Sequence, residues 1–423
     1  MTQVPHTHDT QQAAKVKLSD RLAPKIRVTA FCETTETHAA VAATAADRRM
    51  LRANVGPNMG GIKSAIFQYR STPSPDLIVI EHQAPEERML EELGQLAEVC
   101  DADTRVIVIG YSNDIRLYRK LIDHGISDYL VGPIDSPALI SAILRLYEGN
   151  DSKKLGRTCA FIGAKGGVGS STVAHNVAAT LADQMKLDVI LADMDLPFGT
   201  AGLDFNVDSA QGIAEALESG GKLDEQLFER LLDKCSERLN ILMAPTTLDR
   251  HYDLNEEDFD ALIDLARAGA SHVVFDMPHL WSAWARRMLV SADEVVVTAV
   301  PDLANLRNTK SLVDILNKAR PNDAPLKLIL NQVGMSKRPE IKAAEFAEAV
   351  GLDPVVVIPF DPKLFGNASN NGQMIADVAA HAAAPFATIS AAILESGGLR
   401  AQQSERRGFL SLLSGLSKRR KTA

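Results

Sequence analysis

The sequence predicts an α/β protein of two doubly wound units, each built on a mostly parallel sheet, and three observations carry that reading. Short, continuously apolar runs alternate with longer helical segments from Ile26 onward. A polar stretch around Gly149, Asn150 and Gly156 interrupts the alternation and reads as a linker. A glycine-rich segment, Gly163–Gly169, stands between an apolar run and a helical one. Strands covered on both faces are apolar throughout, so such runs with helices between them imply a parallel sheet with helices on either side. A chain of 423 residues also exceeds what one hydrophobic core organises.

Taken in order, residues 1–24 are polar, lack the apolar stretch of a signal peptide, and read as a disordered leader. The first unit, 25–148, has expected strands Ile26–Cys32, Leu77–Ile80, Val106–Ile109 and Tyr129–Val131. Its expected helices are Glu86–Val99, Ile115–His124 and Pro137–Tyr147. After a linker, 149–157, the second unit runs over 158–395. Its expected strands are Thr158–Ile162, Val189–Ala192, Leu239–Met243, Val273–Phe275, Glu294–Val300, Leu326–Asn331 and Val355–Ile358. The helix Ser171–Met185 follows the glycine segment, and an Ala-rich helix, Ile375–Leu394, closes the unit. In the tail, 396–423, Phe409, Leu410, Leu412, Leu413 and Leu416 recur at helical spacing beside Arg406, Arg407 and Lys418–Lys421. Such a basic amphipathic end can rest on an anionic membrane, while Gly408 and Gly415 weaken the helix.

Composition narrows the function. A net charge of −9 argues against a protein that coats nucleic acid, which needs a broad basic surface. No apolar run is long enough to span a bilayer, so a cytoplasmic protein is expected. Cys32, Cys100, Cys159 and Cys235 are scattered without a CxxC pair, which points to buried reduced thiols rather than zinc or disulfides.

The chemistry centres on the glycine segment. Strand, glycine turn and helix in that order let backbone N–H groups curl around an anion at the positive end of a helix. The usual phosphate-loop template is G-x-x-x-x-G-K-[ST]. Here Ala164 stands at the first glycine and Ser170 at the lysine, while a lysine comes early, in Lys165-Gly166-Gly167-Val168-Gly169-Ser170-Ser171-Thr172. Two more apolar strands end in acids, Asp193 with Asp195, and Asp276. Ligands of open α/β sheets gather beyond strand C-termini, so these carboxylates can face the loop.

The string K-G-G-V-G-x-[ST]-T resembles the deviant Walker A motif of the MinD/ParA family. The resemblance implies ATP and Mg²⁺ as cofactors and an ATP-sandwiched homodimer. It makes Lys165 the signature lysine reaching the partner's phosphates, Ser171 a Mg²⁺ ligand, and Thr172 a phosphate contact. It also implies that Asp195 orients the attacking water, that Asp193 supports the metal shell, and that Asp276 is the Walker B acid. Asn331 would contact the base, under a loop that begins at Pro359. A lysine ammonium near a phosphate is worth about 4 kcal/mol at 4 Å and an effective dielectric near 20. Its replacement by Ser170 therefore predicts ATP binding with slow or absent hydrolysis.

The first unit resembles response-regulator receivers in frame only. Pro75–Glu81 matches their phosphoacceptor strand and Asp128–Pro133 their D-Y-L-x-K-P, yet Glu81 replaces the acceptor Asp and Gly132 the lysine. Cys32 and Glu33 leave at most one of the usual acidic pair, and Gly110 replaces the Ser/Thr switch, with Ser112 nearby. A docking module is expected rather than a phosphorylated switch. A pseudo-receiver ahead of a deviant Walker domain, together with Asp193-Met-Asp-Leu-Pro-Phe-Gly199, resembles the CpaE/TadZ family of Tad/Flp pilus-assembly proteins over roughly residues 26–392. That resemblance implies a polar, ATP-gated landmark that recruits the pilus secretion ATPase. The alternatives are a ParA/MinD-like ATPase for DNA partitioning or division-site positioning, an iron-protein relative, for which the cysteine spacing is wrong, and a true response regulator.

Overall fold

In the computed structural model of the protein, which describes residues 22–147, 155–209, 211–219, 222–248 and 252–396, the strands form two sheets. The chain divides into two compact units, Met1–Asn150 and Asp151–Ala423. The leader up to residue 21, linker residues 148–154 and the basic tail from residue 397 lie outside the described residues. Among the described residues no helix is long and apolar enough to cross a membrane.

The first sheet contains β1 (Arg27–Cys32), β2 (Asn54–Met59), β3 (Leu77–Glu81), β4 (Arg105–Gly110) and β5 (Asp128–Val131). Its order is β2-β1-β3-β4-β5 and every pairing is parallel, the doubly wound order of flavodoxin-like folds. Alternate residues of one strand feed opposite layers. Leu77 and Val79 pack with Leu139 and Ile143 of the helix Ser136–Leu146. Ile78 and Ile80 pack with Ile62, Leu93 and Leu121 from helices on the other face. The sequence reading missed β2 because Asn54-Val-Gly-Pro-Asn looks like a turn; β2 is an edge strand, where a proline is tolerated. The leader also ends earlier than expected. Ala23 is buried and donates its N–H to the Arg49 carbonyl at 2.7 Å.

The second sheet contains β6 (Arg157–Gly163), β7 (Val189–Asp193), β8 (Asp233–Lys234), β9 (Leu239–Leu242), β10 (His272–Asp276), β11 (Glu294–Ala299), β12 (Lys327–Val333) and β13 (Pro354–Pro359). Its order is β13-β12-β11-β6-β10-β7-β9-β8, all parallel except the β8–β9 pair. β6 sits between β11 and β10, so the glycine segment leaves the sheet at its centre. β6 begins at Arg157, inside the expected linker, where Arg157 Nη2 donates to Glu294 at 2.9 Å.

Two expected helices are broken. The closing helix divides into Ile375–Val378, a tighter turn Ala380–Ala383, and Ala384–Ser396. Pro385 explains the restart, since proline lacks the N–H an interior turn needs and fits only a first turn. The helix after the glycine segment is regular over Ser170–Ala179 and widens over Thr180–Gln184. Cys32 and Cys159 are buried, Cys100 and Cys235 only partly, and all four thiols are free.

Candidate functional site

The glycine segment is held by its surroundings rather than by itself. The Ala164 N–H donates to the Thr298 carbonyl at the end of β11, at 2.8 Å. Asn308, on the helix Leu303–Ala319, donates Nδ2 to the Ala164 carbonyl at 2.9 Å, and His279 Nδ1 lies 3.0 Å from the Gly163 carbonyl. From β12, Asn331 donates Nδ2 to the Val168 carbonyl at 2.8 Å and Gln332 donates Nε2 to the Gly167 carbonyl at 3.1 Å. With carbonyls turned outward to these clamps, the loop has a fixed curl. Gly167 (φ +78°) and Gly169 (φ +85°) adopt the left-handed backbone that the curl requires, and a Cβ on Gly169 would lie 2.6 Å from Asn331 Nδ2.

The first intrahelical bond comes from Val173 N–H to the Gly169 carbonyl, so the N–H groups of Ser170, Ser171 and Thr172 precede the helical ladder. These orphan donors and the helix dipole make the end of β6 an anion-binding position. Lys165, Gly166 and Gly167 are exposed, Val168 is buried, and Ser171 and Thr172 are half-buried in the first turn. Ser170, at the position where the template has lysine, is buried, and its Oγ has no hydrogen-bond partner.

The three acids come together as the strand ends predict. Asp193 and Asp276 are paired in register at the ends of β7 and β10, both buried. Asp193 is fully committed to its own turn: Oδ1 accepts from Asp195 N–H at 3.2 Å and Oδ2 from Ala201 N–H at 3.0 Å. Burial and the adjacent Asp276 push the Asp193 carboxyl up, to about 7. Asp195 is half-buried, and burial raises it despite a bond from Phe198 N–H. Asp276 keeps one buried oxygen, Oδ1, without a partner.

The structure adds His175, which sequence reasoning missed. It lies one helical turn beyond Ser171, on the same face, a spacing that could have marked it. Its ring is inaccessible, with Nδ1 2.7 Å from Asp204 Oδ2 and Nε2 3.2 Å from Asp276 Oδ2. Burial alone would lower the imidazole pKa; the flanking carboxylates of Asp204 and Asp276 override it and raise it to about 10. His175, Asp193 and Asp276 thus form one buried cluster.

On the far side of Gly169, a cavity of about 130 Å³ is lined by Thr172, Asn331, Gln332, Pro359, Phe360 and Phe365, among others. Asn331 borders it, but its amide is already used at both ends: Nδ2 on Val168, and Oδ1 on the Gln332 N–H at 2.9 Å. The side chain clamps the loop, with one donor and one acceptor position of its amide remaining beside the cavity.

In the first unit, Glu81 is buried and its carboxylate is saturated by protein donors. Oε2 accepts from Glu33 and Thr34 N–H at 2.7 and 2.8 Å. Oε1 accepts from the hydroxyls of Thr34 and Thr37, both at 2.8 Å, and of Tyr111 at 2.6 Å. Burial opposes ionisation, but these bonds hold the carboxyl below its ordinary value. The Tyr111 ring also lies against Gly132, where an added Cβ would meet it at 2.9 Å. A side chain at 132 would require the Tyr111 ring, bonded to Glu81, to shift.

Residues 156–327 match a family model described as an AAA domain. The chain is 28% identical over 263 residues to the septum site-determining protein MinD of Escherichia coli K12, covering 59% of this chain and 96% of that protein. A MinD from Pyrococcus horikoshii, solved in complex with Mg-ADP, superposes with a TM-score of 0.51 at 21% identity, covering 58% of this chain and 98% of that one. A pilus assembly protein CpaE from Caulobacter crescentus is 41% identical, covering 30% of this chain and 97% of that one, with a TM-score of 0.30. Residues 156–327 thus match an AAA-domain model, and with its sheet order, clamped glycine loop and strand-end acids the second unit is similar to MinD in sequence and fold.

Proposed function

We propose that this MinD/ParA-like domain binds Mg-ATP at Lys165–Thr172 and that bound nucleotide gates pairing with a second copy, with slow or absent hydrolysis. The biological role we infer is that of a polar localisation and assembly factor of the CpaE/TadZ pilus type. One observation carries the nucleotide reading: a glycine loop held by four neighbouring segments, with the buried Ser170 Oγ and Asp276 Oδ1 left without protein partners. Buried polar atoms are normally satisfied, and the placing of Ser170 Oγ and Asp276 Oδ1, with His175 Nε2, beside one glycine loop fits a site that a ligand completes.

In this reading the amides of Gly166–Thr172 surround the phosphates, and Ser171 and Asp276 hold the metal. Bound magnesium supplies charge compensation for the phosphates. Asp193 acts through its turn, whose N–H bonds place Asp195 to orient water. Lys165, exposed at the loop tip, is available to a second copy. The base takes the cavity beside Gly169, walled by Pro359, with Asn331 holding the loop beneath it. Ser170 offers no cation to the charge that develops during phosphoryl transfer, which is the reason for slow turnover.

The pilus role is supported by the motif set: Ser170 in the lysine position, Asp193–Gly199, and a first unit of flavodoxin-like order whose Glu81 is sealed. The secretion ATPase of the pilus machinery is the implied partner, and the basic tail the implied membrane contact. The division-site or DNA-partitioning alternative draws on the MinD likeness across 96% of that protein. A salt-sensitive shift of DNA would favour its DNA-binding form. Calorimetry with Mg-ATP tests the common core: saturable binding is expected, and its absence sinks the proposal. Size-exclusion chromatography with and without Mg-ATP tests the gating.

A further inference from the structure

Resting on that nucleotide reading, we propose that His175 is a positioning residue that ties Asp276 to the Asp195–Asp204 segment, so that metal and nucleotide at Asp276 are felt by that segment. The ring is wholly buried and spans two elements that otherwise approach the site separately. Nδ1 meets Asp204 Oδ2 at hydrogen-bond distance, 2.7 Å, while Nε2 lies 3.2 Å from Asp276 Oδ2 as a close contact without hydrogen-bond geometry. The ring also packs on Phe205, centroid to centroid 5.8 Å. Asp204 and Phe205 terminate the short helix Ala201–Asp204, whose start is held by Asp193 through the Ala201 N–H. The segment is therefore anchored at both ends to the paired acids: at its start by Asp193 directly, at its end by Asp276 through His175.

Between the anchors the segment turns at Asp195, which accepts the Gly199 N–H through its carbonyl at 2.7 Å, and it carries Phe198 and Leu203 in solvent at 71% and 73% exposure. A ring with no exposed surface, packed against Phe205 and between two side chains, has little room to shift independently of either, because protein interiors are close-packed. A shift at Asp276 is thus transmitted to Asp204 with little slack.

The test is amide hydrogen exchange of residues 195–205 in the full-length chain, read without ligand, with ATP and EDTA, and with ATP and Mg²⁺, alongside nucleotide affinity by calorimetry. In the wild type, Mg-ATP should slow exchange across the segment. His175→Gln should bind ATP in EDTA within about threefold of the wild type and lose about tenfold of the affinity that magnesium adds, a coupling of ordinary size. Its 195–205 segment should keep the ligand-free exchange rate with Mg-ATP present. A purely structural histidine would lower affinity equally with and without magnesium. Asp204→Asn, which leaves Asp276 untouched, should abolish the segment's response, and the double variant should lose no more than the larger single loss. A wild-type magnesium gain and wild-type protection in His175→Gln overturn the proposal. Should that variant fail to fold, a wild-type segment response in Asp204→Asn overturns it alone. If the unsubstituted chain takes up no Mg-ATP, the nucleotide reading falls with it; binding with indifferent variants sinks only the role of His175.

Discussion

At the scale of single residues, the two units treat buried charge in opposite ways. Glu81 is fully bonded, and its carboxyl sits below its ordinary value. A depressed carboxyl contributes stability above its unfolded value, and that contribution disappears as pH falls through the folded value. Glu81→Gln should therefore destabilise the first unit by about 1–3 kcal/mol at neutral pH, by setting an amide N–H against existing donors. The deficit should shrink on acidification below the ordinary carboxylate range; urea unfolding at two pH values checks both. Gly199 is a second tight point, where an added Cβ would lie 2.4 Å from Asp193 Oδ2 and 2.5 Å from Ala244 Cβ. Gly199→Ala should cost about 1–3 kcal/mol in chemical denaturation, as overpacking does. At Ser170, Ser170→Lys should raise phosphate release from ATP; an unchanged rate would mean that the missing cation does not limit turnover.

Among the elements, the strands carried most of what the sequence made legible. β3 and β7 are apolar up to their last residue and β10 is so after His272, and all three are buried throughout, so their acids could be placed at the strand ends from sequence. Asp193 and Asp276 then fell side by side because parallel register puts them there. The clamps were not legible. Asn308 and His279 act on loop carbonyls 144 and 116 residues away in sequence, and nothing local in their segments announces it. Asn331 was expected beside the base; its bond to Val168, which was not foreseen, also ties it to the loop. Asn331→Ala should loosen the loop and weaken ATP binding about fivefold, roughly one hydrogen bond, in a titration calorimeter. β2 escaped because edge strands tolerate the very residues that signal turns.

At the scale of the whole molecule, each unit has its own core. One is organised around Val79, Ile107 and Ile143, with Ile80 and Val108 on the other face; the other around Phe275, Val297 and Leu328, with Phe161, Val274 and Ile329 on its opposite side. Loss of exchange protection in Glu81→Gln should accordingly be confined to residues of Met1–Asn150. Spread into the second unit would show coupled unfolding.

The borders of the larger sheet carry a last implication. One border is the two-residue antiparallel β8, Asp233–Lys234, both residues charged; the other, β13, begins and ends in proline and pairs with β12 through register shifts. Neither offers a long, regular ladder for a foreign strand to join. Side-by-side strand addition at the edges of this sheet is thus disfavoured.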